Sequence, residues 1–266
     1  MGELADMRVV NLWKRFGRTE VLRGVSLDFP KGQITVVLGP SGCGKSVLLK
    51  HLVGLLRPDR GEVWFGPARI DGMPERELGI IRRQIGFLFQ QSALFDSLSV
   101  RDNIAFPLRE HGLEEERLIN ERVTRVLSLV GLEETRDQMP SELSGGQRKR
   151  VALARAIVLE PRVVLYDEPT TGLDPIRAEV INELILKFAD TLGVTSIVVT
   201  HDLVSAFRIA DRMVLLHDGK VVLEGTPDEF KTTTEPTARQ FLRGEVSEAE
   251  LEKIRRHGDD VRQAQS

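Results

Sequence analysis

The octapeptide GPSGCGKS at residues 39–46 decides the fold class of this chain. It follows QITVVLG, an almost continuous apolar run typical of a strand buried on both faces of a parallel sheet. It precedes KSVLLKHLVGLL, whose apolar residues have helical spacing, and we expect this helix to stop before Pro58 and Gly61. A plain glycine turn is the simpler interpretation, but the complete pattern between a strand and a helix favours a phosphate-binding loop.

The residue types of this loop indicate its chemistry. Glycines allow backbone N–H groups to converge on phosphate oxygens, and the N-terminus of the next helix adds its dipole. Lys45 can reach the β- and γ-phosphates of a nucleotide, and the hydroxyl of Ser46 can ligate Mg²⁺. The loop therefore predicts binding of a nucleoside triphosphate.

A pair of carboxylates follows a second apolar run, VVLYDEP at residues 163–169. Asp167 ends that run, where its carboxylate can hold Mg²⁺ through water, and Glu168 beside it can polarise an attacking water. Acidic residues often end strands, so the pair alone is weak support. Because both elements should meet at the carboxyl edge of one sheet, the pair and the loop together predict a hydrolytic site.

A second glycine-rich sequence, LSGGQ at residues 143–147, precedes a strongly helical run. Ser144 and Gln147 have the spacing of a capping box, which is the simplest interpretation. Two glycines at a helix N-terminus also allow close approach to an anion. Ser144 lies 99 residues after Lys45, and a single nucleotide on the first loop has little need of a second cradle from the same chain.

The order of the segments predicts an α/β fold with a mostly parallel sheet covered by helices on both faces. Strands and helices alternate at both ends of the chain, whereas residues 92–160 are helical in pattern. There is no internal repeat and no low-complexity tract. The polar tail begins near Lys231, and Ser247 and Glu250 have the spacing of a capping box for a short helix ending near His257.

Composition narrows the class of protein. The net charge of −3 argues against a nucleic-acid partner, because proteins that bind nucleic acids usually carry an excess of basic residues. A single cysteine, Cys43, excludes an internal disulfide and fits a reducing compartment. No signal peptide and no apolar run of the roughly 18 residues that span a bilayer are found, so we expect a cytoplasmic protein.

Five motifs together resemble those of the ATP-binding-cassette (ABC) ATPases. They are GPSGCGKS, LSGGQ, LYDEP, TGLDP at residues 171–175 and VVTHD at residues 198–202, in that family's order, and the resemblance covers residues 7–242. It implies a P-loop NTPase fold, in which a RecA-like core carries an antiparallel β subdomain and an inserted α-helical subdomain. It also implies ATP and Mg²⁺ as ligands, and a homodimer in which the LSGGQ loop of one subunit closes over the ATP of the other.

The resemblance implies domain boundaries. An ABC ATPase domain would span residues 1–230, with the core and β subdomain at 1–91 and 159–230 and the helical subdomain at about 92–158. Residues 231–266 would form a C-terminal extension that docks on the partner subunit.

The resemblance also assigns residues. Phe16 matches the aromatic that stacks on adenine, with Trp13 as a competitor, and Gln90 matches a glutamine that contacts Mg²⁺, with Gln91 as the alternative register. The expected catalytic residues are Lys45, Glu168 and His201, and the expected metal ligands are Ser46, Gln90 and Asp167. The expected nucleotide contacts are Phe16, Gly39, Pro40, Ser41, Gly42, Cys43, Gly44, Lys45, Ser46, Gln90, Ser144, Gly145, Gly146, Gln147 and Asp174.

Among cassette proteins, a membrane-transporter ATPase fits best. The 99 residues between Lys45 and Ser144 leave no room for the long coiled coil of chromosome and DNA-repair cassettes, and translation-associated cassettes normally carry two copies. Residues 92–112, 139–147 and 238–244 resemble ATPases of the Mla-type phospholipid transporters associated with MCE proteins. Amino-acid importers share part of this pattern, so the ATPase of an amino-acid or other small-solute importer is the alternative.

The Mla-type resemblance implies a set of partners and a location. The partners are integral-membrane permease subunits, an MCE-domain protein and a small STAS-domain protein. The location is the cytoplasmic face of the inner membrane, where the ATPase is held through the permease subunits.

Overall fold

A computed structural model describes residues 5–245 of the chain. The strands are β1 (Ala5–Phe16), β2 (Thr19–Pro30), β3 (Ile34–Leu38), β4 (Arg60–Phe65), β5 (Ala68–Arg69), β6 (Ile85–Leu88), β7 (Val163–Asp167), β8 (Thr195–Thr200), β9 (Arg212–His217) and β10 (Lys220–Gly225). The helices are α1 (Lys45–Leu52), α2 (Glu75–Arg82), α3 (Val100–Glu110), α4 (Glu116–Val130), α5 (Gly145–Ile157), α6 (Pro175–Leu192), α7 (Leu203–Ile209), α8 (Pro227–Thr232) and α9 (Pro236–Arg243).

A six-stranded sheet in the order β10-β9-β3-β8-β7-β6 forms the centre of the fold. All neighbouring pairs are parallel except β9 and β10. Strand β3 is buried throughout: Val36 and Leu38 join one apolar cluster, and Val37 joins the cluster on the opposite face. Alternating side chains therefore fill two cores, as a parallel sheet covered on both faces requires. This confirms the predicted α/β class.

A separate antiparallel sheet, in the order β2-β1-β4-β5, packs against one of these two cores. Strands β1 and β2 form a long hairpin whose turn uses Gly17 at a φ of 58°. The inward side chains of this hairpin, among them Met7, Leu27 and Phe29, join the core that contains α1. The sheet thus brings the end of β1, with Phe16, to the side of the molecule that carries α1.

The chain between β6 and β7 is helical. Residues 89–162 contain α3, α4 and α5 with two short 3₁₀ turns, and they form no strand. Ile104, Val123 and Leu153, one from each helix, are fully buried in a common cluster. Each helix follows its local signals: Ser99 caps α3 by accepting from the Asp102 N–H, and α4 ends at the left-handed Gly131.

The end of α1 and the C-terminal helix α9 add detail that the sequence pattern does not predict. Helix α1 ends at Leu52, well before Pro58, because Gly54 takes a φ of 69° and the N–H groups of Leu55 and Leu56 both bond to the Lys50 carbonyl. Helix α9 packs Phe241 and Leu242 on the core cluster. The capping box expected at 247–250 lies outside the described residues.

None of the helices within residues 5–245 combines the length and apolar character needed to cross a membrane.

Candidate nucleotide-binding and hydrolysis site

The loop at residues 39–46 joins β3 to α1 at the carboxyl edge of the six-stranded sheet. A Cβ atom on Gly39 would lie 2.1 Å from the Leu216 carbonyl oxygen, so only glycine fits there. The Lys45 ammonium donates to the carbonyls of Gly39 at 2.7 Å and Pro40 at 3.1 Å. The side chain of Lys45 therefore lies over its own loop, in reach of any phosphate that the loop binds.

The remaining loop residues support that shape. Ser41 and Gly42 are exposed, Gly42 with a φ of 82°, and Gly44 takes a φ of 108° at the start of α1. Cys43 is buried, and this burial raises the pKa of its thiol. The exposed tip and the buried base are what a loop needs to present N–H groups to an anion.

Ser46 and Asp167 lie side by side, as predicted for a metal site. The Ser46 hydroxyl donates to the Asp167 carboxylate at 2.8 Å, although the residues are 121 positions apart. Burial raises the pKa of Asp167, and the Ser46 hydrogen bond opposes that rise. A hydroxyl and a carboxylate oxygen are hard donors that suit Mg²⁺, which is typically bound by one or two protein groups plus phosphates. The residues present therefore fit the metal.

Glu168 is the most connected side chain of the site. It is 7% exposed, and one carboxylate oxygen accepts from the Thr171 and Thr200 hydroxyls at 3.2 Å each and lies 2.9 Å from His201 Nδ1. The other oxygen lies 3.6 Å from the Lys45 ammonium. Glu168 thus joins the loop at 39–46 to the segment after β8 that carries His201, which is itself half exposed.

Phe16 and Trp13, the two candidates for adenine stacking, have different surroundings. Phe16 is 47% exposed at the end of β1, with the Lys14 ammonium 5.5 Å from its ring centroid. Trp13 donates through its indole N–H to Asn11, and its ring covers Gly24 closely. Phe16 is thus the more exposed of the two rings, and the choice between them for adenine stacking stays a prediction.

The segment after β6 runs beside Asp167, because β6 pairs with β7. Gln90 and Gln91 are both exposed in this segment, so the choice between them stays a prediction. The backbone carbonyl of Gln90 accepts from the Lys149 ammonium at 2.5 Å, and the Glu168 carbonyl lies 3.4 Å from the same ammonium. Desolvation lowers the pKa of Lys149 to about 8, against the opposing field of Asp167 and Glu168.

Lys149 was not among the residues that the sequence predicts. It follows LSGGQ in a run of basic residues, QRKR at residues 147–150, which is more often a solvated helix face. The only sequence signal that could have distinguished this buried lysine from its exposed neighbour Arg148 is the apolar periodicity of α5, which indicates the face of the helix that is buried.

The LSGGQ residues form the loop that begins α5. The Ser144 hydroxyl accepts from the Gln147 N–H at 3.3 Å, and the Gln147 side chain accepts from the Ser144 N–H at 2.9 Å. The predicted capping box is confirmed. Gly145 has open space where a Cβ would lie, and Gly146 packs on Arg177. Ser144 itself is exposed.

Asp174 lies near the LSGGQ loop, because both contact Arg177. It caps α6 by accepting from the Arg177 N–H at 3.0 Å, and it forms an ion pair with the Arg177 guanidinium at 3.3 Å. Arg177 is the residue that packs on Gly146, so Asp174 lies next to the LSGGQ glycines. The structure thus groups the predicted residues into two clusters, one around Lys45 and one around Ser144.

An aromatic groove of about 450 Å³ lies beside the Gln90 segment. Phe87 stacks on Phe89 with ring centroids 4.3 Å apart, and Phe95 lies 4.7 Å from Phe106 of α3. Phe89, Phe95 and Phe106 are 38%, 41% and 37% exposed, so the groove presents apolar surface to its surroundings. Nothing in the sequence pattern predicted that these four rings would meet.

The fold and the first cluster define an ATP-hydrolysing protein of the P-loop class. The family model described as "ABC transporter" matches residues 22–171, more than half of the chain, so the chain belongs to the ABC transporter family. Within that family it is an ATPase that uses ATP and Mg²⁺.

Two curated relatives and one solved structure illustrate the similarity. The chain is 44% identical over 238 residues to the probable ribonucleotide transport ATP-binding protein mkl of Mycobacterium leprae, covering 90% of this chain and 69% of that one. It is 44% identical over 239 residues to the intermembrane phospholipid transport system ATP-binding protein MlaF of Haemophilus influenzae, covering 90% of both. The dimeric, ADP- and Pi-bound cassette MJ0796 superposes with a TM-score of 0.77 at 34% identity, covering 83% of this chain and 98% of that one.

Proposed function

We propose that this chain hydrolyses ATP within a head-to-tail homodimer and thereby powers phospholipid transport through separate membrane permease subunits. The observation that carries the hydrolytic part is the meeting of Lys45, Ser46, Asp167 and Glu168 at one sheet edge. The observation that favours a dimer is that Ser144 is exposed and its hydroxyl bonds to Gln147 of its own loop. The solved relative MJ0796 is dimeric.

Each residue of the first cluster has a role in this proposal. The loop at 39–46 binds the phosphates, and Lys45 neutralises the charge that develops on them. Ser46, Asp167 and Gln90 would hold Mg²⁺, which when bound would neutralise part of the phosphate charge. Glu168 orients the attacking water, and His201 contacts the γ-phosphate. Positioning and electrostatics carry most of such a reaction, which suits a carboxylate held by two threonine hydroxyls and in contact with His201.

The second cluster serves the partner's nucleotide in this proposal. Ser144, Gly145, Gly146 and Gln147 present a helix N-terminus to the triphosphate bound by the other subunit, and Asp174 crosses the interface. Phe16 stacks on the adenine of the nucleotide held by its own chain. Bound ATP then holds two subunits together, and its hydrolysis releases them.

Phospholipid is the proposed cargo because of the likeness to MlaF, which spans 90% of both chains. The mycobacterial relative is named for ribonucleotide transport, which makes ribonucleotides a second candidate. That likeness spans only 69% of the relative, so its name is the weaker guide to this chain. An amino-acid or other small-solute cargo is the remaining alternative.

The proposed assembly places the chain on the cytoplasmic face of the inner membrane, held there by its permease subunits. An MCE-domain protein and a STAS-domain protein are proposed as further partners. We propose residues 1–230 as the ATPase domain, with residues 92–158 as its helical subdomain, and residues 231–266 as an extension that docks on the partner subunit. The apolar groove lined by Phe89, Phe95 and Phe106 is the proposed contact for the permease.

The decisive experiment measures cargo directly. The chain is purified together with its membrane partners and reconstituted in liposomes that contain a fluorescent phospholipid. We expect ATP-dependent movement of the lipid with the wild-type chain and none with Glu168→Gln, which should also abolish ATP turnover. ATP-driven movement of a ribonucleotide or an amino acid, without movement of the lipid, would contradict the proposed cargo.

A further inference from the structure

The buried Lys149 ammonium links three parts of the site. Lys149 is 5% exposed on α5, five residues after Ser144. Its donors reach the Gln90 carbonyl at 2.5 Å, after β6, and the Glu168 carbonyl at 3.4 Å, after β7. Burying an ammonium group is unfavourable unless it is well hydrogen-bonded, so a lysine at this position calls for a specific explanation.

The two carbonyls belong to residues whose side chains have proposed roles in hydrolysis. Glu168 has a φ of 49°, a left-handed conformation that is strained for a non-glycine residue. Its N–H donates to the Val199 carbonyl at 2.9 Å, so Lys149 supplies a bond on the other side of the same residue. A group that holds the backbone of Glu168 therefore also fixes the position from which its carboxylate side chain extends.

The same helix binds the Gln90 segment a second time, through Arg155. Its guanidinium donates to the carbonyls of Ser92 and Ala93 at 2.8 Å each, and it lies 5.8 Å from the Phe95 ring centroid. Ser92 and Ala93 have φ values of 63° and 49°, again in the left-handed region. Helix α5 therefore holds a strained segment at two points, one next to Gln90 and one next to the aromatic groove.

We propose that Lys149 is a positioning residue for ATP hydrolysis, which fixes the backbones of Gln90 and Glu168 to the helix that begins at Ser144. Because α5 is a single helix, the position of the Ser144 loop is tied through Lys149 to both residues. Displacement of the catalytic groups by about 1 Å can lower a rate by about a hundredfold, so a tether of this kind affects turnover more than binding. The inference rests on the roles proposed above for Gln90 and Glu168.

The test compares substitutions of Lys149 in the full chain. Lys149→Met removes the donors and keeps the length, Lys149→Arg keeps a cation with several donors, and Lys149→Gln keeps one donor group without charge. The matched control is Lys187→Met, which removes a lysine bond of 2.9 Å to the Leu129 carbonyl on the exposed side of α6. Steady-state ATPase rates, the KM for MgATP and thermal unfolding are measured for each variant.

We expect Lys149→Met to lower kcat by at least about tenfold while KM changes by less than about twofold, because the loop at 39–46 is untouched. Lys149→Arg should recover most of the rate, and Lys149→Gln should fall between the two. Lys187→Met should match the wild type. A purely structural role would instead lower the melting temperature and active fraction without this graded loss of kcat.

Three outcomes overturn the inference. The first is a folded Lys149→Met chain with a kcat within about twofold of wild type. The second is equal loss of activity in Lys149→Met and Lys149→Arg. The third applies if Lys149→Met does not fold. In that case, a Lys149→Gln chain with the kcat of the wild type overturns the inference. Glu168→Gln separates this failure from that of the proposed mechanism, since retained turnover in Glu168→Gln would remove Glu168 itself from the reaction.

Discussion

At the scale of single residues, Glu168 explains why the site depends on its surroundings. A left-handed backbone at a non-glycine residue costs on the order of 1–3 kcal/mol and persists only where neighbours enforce it. Here the Val199 carbonyl, His201 and two threonine hydroxyls all hold Glu168. The sequence predicted that this carboxylate would lie beside Lys45, but its strained backbone depends on contacts from β8, which no local pattern encodes.

Gly39 provides a test of the loop at the same scale. We expect Gly39→Ala to lower the free energy of unfolding by about 2 kcal/mol or more, because the added Cβ would lie 2.1 Å from a backbone oxygen of Leu216 that cannot move aside alone. ATP affinity should fall as well, since the displaced loop carries the phosphate-binding N–H groups. Urea unfolding and binding of a fluorescent ATP analogue measure the two effects.

The matched control is Gly79→Ala in α2. Gly79 has ordinary helical backbone and nothing within 4 Å of the added Cβ, so this variant should be more stable by about 0.5–1 kcal/mol and bind ATP normally. Equal stability of the two variants would mean that the close approach of Gly39 to Leu216 is not maintained in solution.

At the scale of elements, the sequence predicts features that depend on adjacent residues, but it does not predict contacts between distant segments. The capping box of α5 and the buried strands β3 and β7 follow from adjacent residues, and the structure contains each of them. Helix α1 stops before Pro58, as the sequence predicts, but it already ends at Leu52, because the left-handed turn at Gly54 outweighs the apolar periodicity. Lys149 and the aromatic groove combine segments from β6, α3 and α5, and no periodic pattern reports such contacts.

The aromatic groove, to which α3 contributes Phe106, leads to a prediction at this scale. Phe106→Ser should weaken binding to the permease subunits by about tenfold, because exposed aromatic side chains in a groove are typical binding hot spots. Val10→Ser is the control: Val10 is 36% exposed, like Phe106, but lies on the antiparallel sheet outside the groove. Affinity for the detergent-solubilised permease is measured for both. Unchanged binding by Phe106→Ser would exclude the groove as the contact.

At the scale of the whole molecule, the cluster around Lys45 and the cluster around Ser144 are built from different elements. The first is built from the ends of β3, β7 and β8, and the second from the N-termini of α5 and α6. The side-chain bonds of Ser144 stay within its own loop, and Asp174 bonds to Arg177. A composite site shared by two copies uses both clusters. A site made by one chain alone would leave the cluster around Ser144 without a ligand.

Mixing two inactive variants distinguishes these arrangements. One chain carries Glu168→Gln and the other Ser144→Arg, and each alone should be inactive. In a head-to-tail dimer of one copy of each, both lesions fall in one site and the other site is intact. Random mixing makes half of the dimers mixed, so ATPase activity should return to about a quarter of the wild-type value if the intact sites act independently. If each site used residues of one chain only, every site in the mixture would carry a lesion, and the activity of the mixture would stay at the level of the separate variants.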